Sequence, residues 1–254
     1  KTDLSSTDMH PFVHPFQPAI DPLWESRTDW DIYRTLAQAV SEVAKDAKLT
    51  PYTNIAATPL GHDSEAELAQ PDGIVRDWSK GECEPIPGKT MPSIASNTID
   101  YTKLYEKWIA LGPNAGGKTA SHGNTWDSAE DYEEIRQRNG IIQNKDYVSY
   151  GCPSIYEARQ AIEAVLGLSP TTCGRTAVRA WEAVEKRTGL DNLVKLAKDR
   201  EDERFTYDQV IAQPRETITA PTFTGSNQNR RYTPFTNNVE ELIPFRTLTG
   251  RQHF

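Results

Sequence analysis

Residues Gly112-Pro-Asn-Ala-Gly-Gly117-Lys118-Thr119 satisfy the spacing G-x-x-x-x-G-K-[ST] in full. Taken literally, backbone N–H groups would cradle phosphates, Lys118 would reach the outer phosphates and Thr119 would hold magnesium. That chemistry needs a buried strand before the loop and a helix after it, its N-terminus aimed at the phosphates. The preceding KLYEKWIAL is charged and helix-like, and the following ASHGNTWD has no apolar periodicity, so the motif reads as a glycine-rich surface loop. A P-loop NTPase stays only as an alternative. The shorter PGKT (Pro87–Thr90) has Cys83 where the upstream glycine belongs and is no phosphate loop. His10 and His14 stand four apart, a metal-ligand spacing on a helix, but each is followed by proline, which removes the helix. Cys83, Cys152 and Cys173 are far apart with no C-x-x-C, against an iron–sulfur or zinc cluster built within this chain. At the other end, Thr249-Gly250-Arg251 follows an apolar run. Glycine there lets the backbone turn and approach a ligand, and a hydroxyl and a guanidinium beside it can hold a phosphate-bearing group. A strand ending in an ordinary turn explains the same residues. Arg230 and Arg231 read as a solvated pair or as contacts to cofactor phosphates or a partner.

The elements that must position these groups are uneven. Four prolines in Lys1–Leu23 dictate an extended segment. Ser26–Lys48 carries the clearest helix, with Thr28 as cap, Asp29 and Asp31 in the first turn, and Ile32, Leu36, Ala39, Val40 and Val43 on one face expected in the core. Thr53–Asp100 lacks periodicity and is expected as loop with short elements. Thr102–Leu111 reads as a short helix. Ser128–Asn139 reads as an exposed helix capped by Ser128 and stopped by Gly140. Ser154–Glu157 forms a capping-box pattern before a helix running to Gly167. Thr176–Arg187 follows with Ala177, Val178, Trp181 and Val184 inward, then a short helix at Asp191–Lys198. Thr206–Gln209 is a second capping box. Thr217–Phe223 and Glu241–Phe254 alternate or run apolar as strands do.

The net charge of -8, without a Lys/Arg-rich run, argues against a nucleic-acid partner. No apolar run approaches the roughly 20 residues of a membrane span. An apolar share of 37% and mean hydropathy of -0.66 are polar for a free globule of 254 residues, and suit a piece that wraps other parts of a larger protein.

MHPFVHPF (Met9–Phe16), DPLWESRTDWDIY (Asp21–Tyr33), HDS with AELAQP (His62–Pro71), DWSKGE (Asp77–Glu82), PGKTMP (Pro87–Pro92), AQPRETI (Ala212–Ile218) and the tail ELIPFRTLTGRQHF together resemble, in order, the alpha (catalytic) subunit of respiratory nitrate reductase, a molybdopterin oxidoreductase. Thr98–Glu203 is the loosest part of the likeness. The resemblance implies a mixed α/β fold. Residues 1–240 would be the later part of an α/β region with a helical insertion and long loops, and 241–254 the first strand of a β-rich C-terminal dinucleotide-binding domain. It implies an internal fragment, with the molybdenum-ligating aspartate and nearest cluster ligands upstream of Lys1, so that the chain alone is inactive. It implies nitrate reduction to nitrite at a bis(molybdopterin guanine dinucleotide) molybdenum centre served by iron–sulfur clusters. Thr249, Gly250, Arg251 and Gln252 would be pterin contacts, and His10 and His14 would line the substrate funnel or belong to a surface strap. An iron–sulfur beta subunit and a membrane-anchor gamma subunit would be partners, at the cytoplasmic or outer face of the plasma membrane. Nitrite oxidoreductase, running the reaction in reverse, and a purely structural interaction module are the alternatives.

Overall fold

The computed structural model describes residues 3–4, 12–17, 19–58, 78–82, 93–121, 124–218 and 242–243. Their arrangement is mixed α/β, with short helices and two-stranded sheets. The chain divides into two units, Lys1–Leu49 with Tyr101–Asn237, and Thr50–Asp100 with Asn238–Phe254.

In the larger unit the described residues 3–4 and 12–16 are extended, in keeping with the prolines. β1 (Asp3–Leu4) pairs antiparallel with β3 (Pro15–Phe16), and β2 (Phe12–Val13) pairs with β8 (Arg215–Glu216). Helix α1 (Asp29–Asp46) starts as expected: the Thr28 hydroxyl accepts the Asp31 amide at 3.1 Å, and acids fill the first turn. The inward face of α1 is not the expected one. Ala37, Ser41 and Ala44 are buried, while Ile32, Leu36 and Val43 are 50%, 55% and 66% exposed. At 3.6 residues per turn, the apolar positions from Ala39 through Ile32, Val43, Leu36 and Val40 to Ala44 and Ala37 form one arc of roughly 160°. Only its small-residue half meets the turn at Tyr101–Lys103 and helix α2 (Leu104–Trp108), where the Tyr105 amide donates to Ser41 Oγ at 2.9 Å. Small side chains admit the close approach, and the bulky half is left outside. Trp30 fixes the other end: its indole N–H donates to the carbonyls of Ile155 (3.0 Å) and Tyr156 (3.2 Å), and its ring tilts against Trp108.

After α2, Ile109, Ala110 and Ile142 form a small core with Tyr105, Trp108, Tyr147 and Cys152. A hairpin, β6 (Lys118–Ser121) and β7 (Asn124–Asp127), leads into α3 (Ala129–Asn139). Then come α4 (Ala158–Leu168), α5 (Gly174–Thr188), single turns at Val194–Leu196 and Lys198–Arg200, and α6 (Tyr207–Ala212). Ala177, Val178, Trp181 and Val184 face inward on α5, and Gly189 stops it at φ 73°, both as the pattern required.

Three local expectations are corrected. Ser128 precedes α3, but its hydroxyl donates to the Ala115 carbonyl at 2.6 Å, while Asp127 Oδ1 accepts the Ala129 amide at 3.0 Å. Helix α3 is not an exposed helix, since Ile135 and Asp131 are buried. The capping box before α4 is built by Glu157 and Gln160, one turn after the Ser154 pattern. The second box, Thr206 with Gln209, forms as expected.

In the smaller unit β4 (Tyr52–Thr58) and β5 (Ser93–Ile99) pair antiparallel over their full lengths, from Tyr52 opposite Ile99 to Thr58 opposite Ser93. The expectation for this stretch is loop with short elements, and the paired strands are longer than that. Polar residues interrupt their apolar alternation, and a two-stranded ribbon needs little of it, because Tyr52 and Ile55 stay exposed. Of the terminal apolar run, Leu242 and Ile243 are described and carry no strand; Leu242 has φ 55°.

Candidate functional site

The phosphate-loop spacing at Gly112–Thr119 folds into something else. Pro113–Gly116 form a single 3₁₀ turn, and Lys118 and Thr119 begin strand β6. The loop packs on α3: a methyl on Gly116 would meet the Tyr132 ring at 3.0 Å, and the Tyr132 hydroxyl donates to the Leu111 carbonyl at 3.1 Å. A strand rather than a helix follows Lys118, so the loop does not run into the helix N-terminus that phosphate binding needs. The P-loop reading is excluded on geometry. Burial, with the Cys152 thiol beside it, pushes the Tyr132 phenol well above its ordinary pKa, so it stays a hydrogen-bond donor.

His14 lies between β2 and β3, half-buried, its ring edge-to-face with Phe16 at 5.7 Å. His10, Arg230, Arg231, Cys83 and the proposed pterin contacts Thr249, Gly250, Arg251 and Gln252 lie outside the described residues. Cys152 is half-buried and Cys173 buried, both as free thiols.

What the structure does assemble is a charge network between α3, α4, α5 and the segment 200–205. Asp131, 1% exposed, is held by Arg175, whose Nη2 and Nε donate to Oδ1 at 2.6 and 2.9 Å. Arg179 Nη1 reaches Asp131 Oδ2 at 3.4 Å and also pairs with Glu130. Arg175 Nη2 continues to Glu134 at 3.0 Å, which also binds Arg138 and Arg204, each at 2.9 Å. Glu163 accepts the Tyr207 amide at 2.7 Å through Oε1; its other oxygen lies 3.6 Å from Arg204, an ion-pair distance without a hydrogen bond. Burial raises the Glu134 carboxyl, but the three arginines outweigh it and hold its pKa below the ordinary carboxylate value. Burial likewise works against the Arg175 guanidinium, and the Asp131 contact outweighs it. Both Asp131 oxygens are engaged by guanidinium groups that do not give up protons, so it is no general base. The network is a clamp that fixes helices.

A clamp of this kind is scaffold, so identity rests on comparison with known proteins. A family model described as nitrate reductase alpha chain, domain V, matches residues 117–240. The nitrate reductase alpha chain of Bacillus subtilis is 54% identical over 256 residues, which cover 100% of this chain and 21% of the relative. The chain belongs to the nitrate reductase alpha-chain family. The nitrate reductase alpha subunit of Mycobacterium tuberculosis is 44% identical over 257 residues (100% of this chain, 20% of the relative). The respiratory nitrate reductase 1 alpha chain of Escherichia coli is 41% identical over 258 residues (99% and 20%).

This nitrate reductase alpha-chain segment therefore spans about a fifth of the length of the curated relatives it matches. The family model covers the β6–β7 hairpin, helices α3 to α6 and the whole charge network, much of it in the stretch where motif likeness was loosest. The network's residues escaped sequence reading because Glu130 and Asp131 in a first turn already have an explanation in the helix dipole. The usable signal was compositional: Arg175 and Arg179 recur at i, i+4 on a helix whose other face is apolar. Among the described residues no group of three His, Cys, Asp or Glu could hold a metal ion, and no helix is long and apolar enough to cross a membrane.

Proposed function

We propose that this chain is part of the catalytic subunit of a membrane-bound respiratory nitrate reductase, which reduces nitrate to nitrite in anaerobic respiration. The observation that carries the reading is identity of 54% along the full length of the chain to a nitrate reductase alpha chain. A bis(molybdopterin guanine dinucleotide) molybdenum centre, when bound, supplies the oxygen-atom-transfer chemistry, and the protein supplies orientation and electrostatics. Electrons arrive through iron–sulfur clusters, by way of an iron–sulfur beta subunit and a membrane-anchor gamma subunit. The complex sits peripherally on the plasma membrane, with this subunit on the cytoplasmic face.

Within that subunit, residues 1–240 belong to the α/β region with its insertions, and 241–254 open the dinucleotide-binding domain. Thr249, Gly250, Arg251 and Gln252 contact the pterin: Gly250 gives the backbone close approach, and the Arg251 fork takes phosphate oxygens. His10 and His14 line the approach to the metal. No metal ligand is assigned to this chain. The test is Arg251→Ala in the intact subunit, read by molybdenum content per polypeptide and by nitrate turnover with a reduced viologen donor. Both fall, and Arg251→Lys restores them only in part, because lysine is a point charge without the fork. Unchanged molybdenum content and turnover would remove Arg251 from the site.

A further inference from the structure

The bulky half of the α1 arc borders a cavity of about 350 Å³ lined by Ala39, Val40, Val43, Ala44, Leu49 and Tyr101. Among the described residues no charged side chain lines it. Beside it Ile32 and Leu36 are half exposed, on a helix with one apolar face. Burying such apolar surface is favourable, and leaving it open on a well-formed helix forfeits that gain. An interface free of charge at its centre resembles a core cut in two, not the mixed surface of a transient contact.

Three occupants have different standing. A second copy must overcome the repulsion of two chains each carrying -8. A separate subunit must be captured from solution. Polypeptide of the same subunit is tethered, so its effective concentration is in the millimolar range without any assembly step. The relatives carry about four-fifths of their length outside the part matched here.

The geometry points to the α1 face Ile32–Leu36–Val40–Val43, with the adjoining cavity, as an interface inside the catalytic subunit, covered by an apolar element of the same polypeptide beyond these 254 residues. This rests on the reading that the chain is part of an alpha subunit. The covering element inserts aliphatic or aromatic side chains into the cavity and buries the outer half of α1 when the subunit folds.

The experiment places a photo-crosslinking residue by Leu36→p-benzoylphenylalanine in the intact subunit, with Gln38→p-benzoylphenylalanine on the polar side as reference. The subunit is purified alone and in complex, and crosslinked peptides are mapped by mass spectrometry. Position 36 gives several-fold more crosslink than position 38, joined to alpha-subunit residues outside this segment, in both preparations. Crosslinks to the beta or gamma subunit, to a second copy, to residues of this segment, or no crosslink above the reference each overturn the assignment. If the Leu36 variant does not accumulate, Val43→p-benzoylphenylalanine, at a more exposed position, is read by the same criteria. Nitrate turnover on the same preparations separates the two claims: inactive enzyme with in-chain crosslinks sinks the activity, and active enzyme without them sinks the interface.

Discussion

Arg175 Nη2 lies 2.6 Å from Asp131 Oδ1, joining the first turn of α5 to the first turn of α3 across a sequence gap of 44 residues. The acid is buried and its partner one-third exposed, so the pair is strong in one direction only. Removing the carboxylate leaves guanidinium groups that still reach water, whereas removing the guanidinium leaves a buried charge. We expect Asp131→Asn to destabilise the larger unit by about 2–3 kcal/mol and Arg175→Met by about 3–5 kcal/mol. Denaturant unfolding followed by tryptophan fluorescence measures both, and equal, negligible losses would show that Glu130 and Glu134 replace the carboxylate and Arg179 the guanidinium.

Gly174 begins α5 where the chain from Arg200 to Glu203 runs against it. Its amide donates to the Glu203 carbonyl at 2.7 Å, and a methyl there would lie 1.8 Å from the Arg200 carbonyl oxygen. Backbone cannot yield as a flexible side chain does. Gly174→Ala therefore costs about 3 kcal/mol, at the upper end of ordinary overpacking penalties. Gly189→Ala, strained only by its positive φ, costs less, about 1 kcal/mol. Melting temperatures of the two variants give the order.

Acid should loosen the same region. Arginine contacts hold Glu134 below the ordinary carboxylate pKa against its burial, and the Arg200 hydrogen bond does so for Glu203. A depressed folded-state pKa contributes stability that is complete above the unfolded value of 4.5 and is lost as pH falls through the lower folded value. Unfolding midpoints stay level on this account from neutrality to about pH 5 and decline below it. Glu134→Gln flattens that decline.

Adenine nucleotide should have no effect. With Lys118 opening a strand, ATP with magnesium produces no heat and no thermal shift, and Lys118→Ala changes stability by less than about 0.5 kcal/mol. Saturable binding abolished by Lys118→Ala would contradict the described geometry.

The 254-residue chain alone should not reduce nitrate with a viologen donor, because on the proposed reading other parts of the subunit would hold most of the cofactor. Turnover by the purified chain would overturn that expectation.

Helices with explicit caps and a single apolar face were legible: α5, with Trp181 and Gly189, and α6, with its Thr206–Gln209 box, are where the pattern puts them. Helix α1 was legible as a helix but not in its orientation. Periodicity reports an apolar arc, and an arc wider than one interface does not say which half meets Ser41's partners. Strands β4 and β5 were illegible because their pairing is satisfied by backbone, with side chains such as Ile55 left outside. The clamp around Asp131 was hidden for a related reason. Charges in sequence look the same whether solvated or buried against arginines from a helix more than 40 residues away. The motif that looked most chemical, Gly112–Thr119, failed on context alone, since spacing does not supply the helix that phosphate binding needs.

The hydrogen bonds of Trp30 to Ile155 and Tyr156 span 125 and 126 residues of chain. On a ribosome adding about 5–20 residues per second, α1 would emerge roughly 6–25 s before its docking carbonyls exist. For the first part of that wait, until residues 101–108 are made, both halves of its apolar arc lack a partner on the nascent chain. Synthesis, more than the finished fold, is then when this helix is most uncovered, and slowing translation between the codons for residues 47 and 155 should lower soluble yield more than slowing it after them.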